Sequence, residues 1–140
     1  MSEESHAGGC LCEAVRFRAT GKLREVVACH CTQCRRQSGH FYAATNVPDD
    51  DLAVAGAENV KWYKASASAR RGFCDICGSA LFWKHEGEAH TSVLAGAFDS
   101  PSGLKLTKHI FCADKGDYYE IADGLPQFEA SDRSLRVVEE

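Results

Sequence analysis

Short segments in which apolar and polar residues alternate recur along much of the chain. Residues 13–18 alternate apolar and charged side chains, and this two-residue period is typical of a β-strand with one buried face. Five further segments are rich in apolar, β-branched and aromatic residues and are also predicted as strands. They comprise residues 26–30, 41–47, 61–64, 80–83 and 90–95. Turn-forming residues separate these segments, so the pattern predicts a mainly β protein.

Helical periodicity is weak throughout the sequence. A single helical turn is predicted over residues 32–38, and no window shows a sustained apolar period of 3.6 residues. No internal repeat, low-complexity stretch or linker divides the chain. We therefore predict one domain spanning residues 1–140, with a polar C-terminal tail that frays from about residue 130.

Composition and charge argue against two classes of binding partner, nucleic acids and membranes. Hydrophobic residues make up 44% and charged residues 26% of the chain, as in ordinary globular proteins. The formal net charge of −4 argues against a nucleic-acid partner, because nucleic-acid binding depends on clustered lysine and arginine. No apolar run approaches the roughly 18–20 residues of a membrane helix. The polar, acidic N-terminus lacks the features of a secretory signal, so a cytoplasmic protein is expected.

Cysteine is the unusual part of the composition. In a reducing compartment, closely spaced cysteines indicate metal or redox chemistry more often than disulfides. Seven of the eight cysteines form C-x-C, C-x-C-x-x-C and C-x-x-C clusters: Cys10, Cys12, Cys29, Cys31, Cys34, Cys74 and Cys77. The eighth, Cys112, stands alone in an apolar stretch and is expected to be a buried thiol. The clusters predict zinc binding.

Spacing indicates how the thiols divide between two ions. Cys74 and Cys77, followed by Gly78, are typical of the knuckle turn of zinc ribbons. A redox C-x-x-C would instead need a helix N-terminus in a βαβ setting. In a C-x-C pair both side chains point to the same side of a strand, so either of the two C-x-C pairs could complete the knuckle site. Cys34 lies next to the second pair and decides the partition. The predicted sets are Cys10, Cys12, Cys74 and Cys77 around one zinc, and Cys29, Cys31 and Cys34 around another.

The second set lacks a fourth ligand, and two alternatives follow. Cys112, His30, His40 or His109 could complete a closed structural site, or the position could stay open for water or a substrate thiol. Three thiolates leave a zinc ion with a net negative charge. Such an ion is a poor generator of hydroxide and suits a soft thiolate ligand better. The open alternative therefore predicts chemistry on small thiols.

Two pairs of arginines lie close to cysteines in the sequence. Arg35 and Arg36 follow Cys34 and are predicted either to screen the anionic site or to bind a substrate carboxylate. Arg70 and Arg71 precede the knuckle and are predicted to neutralise the four-thiolate site.

Four stretches resemble the family named for glutathione-dependent formaldehyde-activating enzyme, whose vertebrate relative is centromere protein V. They are residues 8–12, 29–39, 73–83 and 121–128, in order along nearly the whole chain. The resemblance implies an Mss4-like fold, a mainly β architecture of several small antiparallel sheets tied together by zinc. It also implies a structural zinc at the four-cysteine set and a catalytic-type zinc at the three-cysteine set.

The resemblance further implies a carbon–sulfur lyase that joins glutathione, or a similar small thiol, to formaldehyde or a similar aldehyde. The product would be S-hydroxymethylglutathione, and the substrate thiol would bind at the open position of the three-thiolate zinc. Fold and metal ligands persist when substrates change, so two other functions are considered. One is a non-catalytic, zinc-stabilised protein-interaction module, and the other is a redox or metal-buffering thiol protein.

Overall fold

A computed structural model describes residues 4–131 of the chain. Nearly all of the tail that was predicted to fray therefore lies outside the described residues. Within residues 4–131 no helix is long and apolar enough to span a membrane. In this described part of the chain, ten strands and one short α-helix, α1 (Thr32–Ser38), form the regular structure apart from four 3₁₀ turns. The strands are β1 (Ser5–Gly9), β2 (Arg16–Thr20), β3 (Val26–Cys29), β4 (Tyr42–Pro48), β5 (Leu52–Ala55), β6 (Val60–Lys64), β7 (Ala69–Cys74), β8 (Ala80–His85), β9 (His90–Leu94) and β10 (Leu106–Ile110).

The strands form two sheets. The smaller has the order β1-β2-β5, and the larger has the order β10-β3-β4-β9-β8-β7-β6. The mainly β class and the antiparallel arrangement predicted from the sequence are confirmed. One pairing, between β3 and β10, is parallel. After β9 the chain crosses to the edge of the large sheet opposite β6, where β10 runs in the same direction as β3.

The pairing of residues between strands shows which side chains lie on each face of the large sheet. Directly paired residues share a face, so Trp62, Gly72, Phe82 and Val93 line one side. This face packs against the small sheet. Phe82 contacts Phe17 of β2 edge-to-face, with ring centroids 5.9 Å apart. The main hydrophobic core lies between the two sheets and contains the fully buried Val15, Ala19, Val47, Leu81 and Val93.

The other face of the large sheet carries α1. Cys34 packs with Tyr42 and Ala44, and the partly buried Trp83 and Leu94 adjoin this second cluster. The helix is short because its ends are fixed by local contacts. The Cys31 side chain caps its first turn, and Gly39 ends it in the left-handed conformation. The helical turn predicted over residues 32–38 is thus present.

Close approach between β1 and the segment after β9 generates a stability prediction. A Cβ at Gly8 would lie 2.3 Å from the backbone oxygen of Ala97 and 2.5 Å from Cζ of Phe17. We expect Gly8→Ala to lower the free energy of unfolding by roughly 1–3 kcal/mol, measured by urea denaturation of the zinc-loaded protein. Gly96→Ala is the matched control, because a Cβ there meets no atom within 4 Å. Equal stability of the two variants would contradict the close approach.

Candidate metal centres

Four thiols from two distant parts of the chain meet beside the main core. Cys10 and Cys12 follow β1, whereas Cys74 ends β7 and Cys77 lies in the next turn. Their sulfur atoms all lie within 4.8 Å of one another. The Cys10–Cys12 and Cys12–Cys74 sulfurs are 3.7 and 3.8 Å apart. A tetrahedral zinc with Zn–S bonds of about 2.3 Å holds its sulfurs about 3.8 Å apart. The four-thiol cluster can therefore hold such an ion.

Backbone amides point at the sulfurs of the four-thiol cluster. The Val15 N–H donates to Cys10 Sγ over 3.3 Å, and the Ile76 and Cys77 N–H groups donate to Cys74 Sγ over 3.4 and 3.5 Å. Gly78 adopts a φ of +83°, which lets the chain turn tightly around the Cys74 sulfur. These donors favour thiolates over thiols.

Ser79 connects the two halves of the four-thiol cluster, a role that cysteine spacing did not predict. Its Oγ accepts a hydrogen bond from the Leu11 N–H over 3.0 Å and lies 3.1 Å from Cys77 Sγ. Hydrogen bonds from Ser79 lower the pKa of Cys77 to about 5. The hydroxyl is thus placed to stabilise one thiolate while it positions the opposite loop.

Three further thiols form a second group on the helix-bearing face of the large sheet. Cys29 is the last residue of β3, Cys31 caps α1, and Cys34 lies in its first turn. Their sulfurs also lie within 4.8 Å of one another, and the Cys34 N–H donates to Cys31 Sγ over 3.3 Å. Hydrogen bonds among the three thiols raise the pKa of Cys29 and lower that of Cys31. One thiolate is thus favoured at the expense of its neighbour, and a divalent cation would stabilise all three.

Arg71 is the arginine at the three-thiol cluster. Its Nη2 donates to Cys34 Sγ and to Gln33 Oε1, each over 3.5 Å. The side chain is 3% exposed, and the guanidinium lies 5.0 Å from the centroid of the Tyr42 ring. Among residues 4–131 no carboxylate pairs with Arg71. The three-thiol cluster is therefore the group placed to supply its counter-charge.

The prediction that Arg71 neutralises the four-thiol cluster is thus wrong. Arg70 and Arg71 are adjacent on β7, so they project from opposite faces of the sheet. Arg71 faces α1 and the three-thiol cluster, whereas the Arg70 guanidinium lies 4.6 Å from the centroid of the Trp62 ring. Proximity to Cys74 in the sequence was misleading. Successive side chains on a strand point to opposite faces of the sheet, and this decides which surroundings each arginine has.

Arg35 and Arg36, predicted either to screen the three-thiol site or to bind a substrate carboxylate, occupy different environments. Arg36 is exposed, and Arg35 is half-buried. The Arg35 Cδ lies 3.2 Å from the position that a Cβ at Gly116 would take, so this side chain runs toward the loop over residues 115–119. A role of either arginine in binding substrate stays a prediction.

The candidates for a fourth ligand lie elsewhere in the described chain. Within residues 4–131 no histidine, carboxylate or further cysteine joins Cys29, Cys31 and Cys34. Cys112 lies in the 3₁₀ turn Cys112–Asp114, outside both clusters. The His40 Nδ1 is 2.8 Å from the Tyr118 hydroxyl. None of the four candidate ligands therefore joins the three-thiol cluster in the described chain.

His30 and His109 bond to each other instead of reaching the thiols. His30 Nε2 lies 2.9 Å from His109 Nδ1, and His109 Nε2 lies 2.8 Å from Asp123 Oδ2. The second ring nitrogen of His30 contacts the Tyr119 hydroxyl. Burial and the nearby His109 lower the pKa of His30 to about 4, so this ring is neutral at pH 7. Sequence reasoning missed Tyr119 and Asp123, because no local motif links them to the cysteines.

The sequence and the fold are both similar to those of known proteins. The family model described as "Glutathione-dependent formaldehyde-activating enzyme" matches residues 5–114. The chain belongs to this family. A Schizosaccharomyces pombe protein named as an uncharacterized lyase is 26% identical over 134 residues, covering 95% of this chain and 97% of its own length. A crystal structure of a Rhodobacter sphaeroides protein matches with a TM-score of 0.59 and 24% identity, over 72% of this chain and 99% of that one. This family member thus shares its fold with a solved structure.

The charge of Arg71 generates a prediction about metal affinity. Arg71→Met keeps most of the side-chain volume but removes the donor to Cys34. Because hydrogen bonds to charged groups contribute about 1.5–3 kcal/mol, we expect the three-thiol cluster to bind Co²⁺ at least tenfold more weakly. The measurement is a Co²⁺ titration that follows the thiolate charge-transfer absorbance.

Arg70→Met is the control for this titration, since Arg70 lies on the opposite face of the same strand over Trp62. Its affinity for Co²⁺ should equal that of the wild type. The same loss in both variants, or a loss confined to the four-thiol cluster, would contradict the assignment of Arg71.

Proposed function

We propose that this protein is a zinc-dependent carbon–sulfur lyase that joins a small thiol such as glutathione to formaldehyde or a similar aldehyde. The observation that carries the proposal is the three-thiol cluster, which no fourth ligand from residues 4–131 completes. It lies beside a buried guanidinium that offsets negative charge. In this proposal Cys29, Cys31 and Cys34 hold a catalytic-type zinc, and Cys10, Cys12, Cys74 and Cys77 hold a structural one.

The residues around the three-thiol cluster have distinct tasks in this proposal. A zinc ion bound there would supply a soft Lewis acid that favours the ionised form of a substrate thiol. Arg71 stabilises the thiolates and so limits the negative charge that an entering thiolate would meet. Cys31 and Cys34 are held on α1 by the hydrogen bond between them, which preserves the geometry of the donor set.

The proposed substrate agrees with the relatives and with the surface charges. The family description names glutathione and formaldehyde, and the yeast relative is named a lyase. Glutathione carries two carboxylates, and Arg35 and Arg36 beside Cys34 could bind them. We further propose that the protein acts in the cytoplasm, where glutathione is abundant and thiols stay reduced. All eight cysteines are free thiols in the structure, in agreement with such a compartment.

A second candidate function is a non-catalytic interaction module stabilised by zinc. Leu11 and Ile76 lie at the tips of the two turns that form the four-thiol cluster, and they are 85% and 63% exposed. Exposed apolar side chains at adjoining turns are typical of contact surfaces for another protein. This surface lies at the four-thiol cluster, so an interaction there would not require an open coordination position.

The lyase proposal predicts faster exchange between free and adduct forms of glutathione. Zinc-loaded protein is mixed with glutathione and formaldehyde, and exchange NMR measures how fast the S-hydroxymethyl adduct forms. The rate should rise in proportion to protein concentration for the wild type and should match the spontaneous rate for Cys31→Ser. A wild-type rate equal to the spontaneous one would overturn the lyase proposal and favour the interaction module.

Metal stoichiometry tests the division into two centres. We expect two zinc ions per wild-type chain and one per Cys31→Ser chain, measured by elemental analysis after dialysis. The variant should remain folded, because serine is among the best helix N-caps and the four-thiol cluster is untouched. Unfolding of Cys31→Ser would show instead that both centres are structural.

A further inference from the structure

An opening into the main core lies where the two sheets end side by side. Within residues 4–131, β5 is the last strand of the small sheet and β6 is the last strand of the large one. A cavity of about 280 Å³ is lined by residues of both strands. A second cavity, of about 350 Å³, shares Trp62, Arg70 and Lys84 with the first. We name these two adjoining cavities the edge groove.

The wall of the first cavity is largely apolar. Leu52 and Val54 come from β5, Val60 comes from β6, and Phe82 comes from β8. The first three are only partly buried and pack against the main hydrophobic core, to which Phe82 belongs. An apolar ligand in this cavity would remove the remaining apolar surface from water, which is favourable.

A row of three cations crosses the edge groove beside this apolar wall. Lys64 pairs with Arg70 across β6 and β7, and Arg70 pairs with Lys84 across β7 and β8. Directly paired residues share a face of the sheet, and here it is the face of Trp62 and Phe82. Like charges directly opposite each other are unfavourable in a sheet. The row therefore favours a bound anion.

Lys84 is the cation of this row that the protein itself neutralises. Its ammonium pairs with Asp49 and donates to the backbone oxygen of His90 over 3.1 Å. In the described residues, 4–131, neither Lys64 nor Arg70 forms an ion pair with a carboxylate. Arg70 is exposed and stacks on Trp62. Its guanidinium thus offers unpaired donors at the mouth of an apolar cavity.

We propose that the edge groove binds a medium-chain aliphatic carboxylate. The alkyl chain lies in the first cavity, and the carboxylate accepts hydrogen bonds from Arg70, whose planar fork matches a carboxylate in shape and charge. Cavities that hold small molecules begin at about 300 Å³, so a small amphiphile fits better than a large cofactor. An aromatic acid fits less well, because Trp62 already stacks on Phe82, with ring centroids 6.0 Å apart, and carries Arg70.

The edge groove is separate from both metal centres. No cysteine of the described chain lines either cavity. Arg70 and Arg71 project from opposite faces of β7, and Trp83 adjoins the cluster around Cys34 on the far face. The proposal therefore stands or falls independently of the lyase proposal, and the two tryptophans can report on the two faces.

The probe for this site is octanoate, titrated into zinc-loaded protein. The indole N–H signals of Trp62 and Trp83 are followed by ¹H–¹⁵N NMR. We expect a saturable shift of the Trp62 signal and none of the Trp83 signal. Shorter acids should bind about fourfold more weakly for each buried methylene removed. The absence of a saturable Trp62 shift, or an affinity that does not depend on chain length, would overturn the proposal.

Two arginine variants test the carboxylate contact. Arg70→Met should weaken octanoate binding about tenfold, the low end for a hydrogen bond to a charged group because the site is open to water. Octanol, which has no charge, should bind this variant as it binds the wild type. Arg36→Met is the matched control, because it removes the same charge from an exposed position on α1. Equal weakening in both variants would overturn the contact with Arg70.

A cysteine variant separates the edge groove from the metal, since a carboxylate is also a ligand for zinc. Cys31→Ser should bind octanoate with the affinity of the wild type. Loss of the Trp62 shift in a folded Cys31→Ser protein would place octanoate at the three-thiol cluster and overturn the proposal. Unchanged Co²⁺ binding by Arg70→Met shows that this variant is folded, so its weaker octanoate binding then reports the lost contact.

Discussion

Mutual repulsion among crowded thiolates is the constraint on which this structure depends. Seven sulfurs are gathered into two groups in which every sulfur lies within 4.8 Å of the others in its group. Like charges at that separation oppose ionisation unless a cation or hydrogen-bond donors stabilise them. Backbone amides, Ser79 and Arg71 supply part of this compensation. A divalent cation would supply the rest, and its binding would then be coupled to folding.

The two faces of the large sheet separate the main hydrophobic core from the three-thiol cluster. One face meets the small sheet through Phe17 and Phe82 and provides most of the buried apolar surface. The other face carries α1, the three thiols and Arg71. Since residues on one strand alternate between these faces, adjacent side chains lie in different environments. Arg70 over Trp62 and Arg71 at Cys34 illustrate this.

Local sequence patterns predicted much of the architecture, but they could not predict contacts between residues far apart in the chain. The strands around residues 16–20, 26–29, 42–48 and 80–85 were found because their apolar residues alternate or cluster, and cysteine spacing grouped the same thiols that the structure brings together. β1 was missed because it contains glycines and a histidine rather than β-branched residues. Tyr119 was missed as a partner of His30 because it is about ninety positions away, and the parallel β3–β10 pairing brings the later part of the chain back beside β3.

The two clusters differ in how far apart their cysteines lie along the chain, and therefore in how much a bound ion would stabilise the fold. Cys12 and Cys74 are 62 positions apart, so an ion that holds them closes a long loop. By the chain-entropy estimate for a covalent cross-link, closing such a loop raises the free energy of the unfolded state by about 4 kcal/mol. Cys29, Cys31 and Cys34 are neighbours on the chain, and an ion among them closes almost no loop. A metal ion in the four-thiol cluster would thus stabilise the whole fold. An ion in the three-thiol cluster could be exchanged with little effect on the stability of the fold.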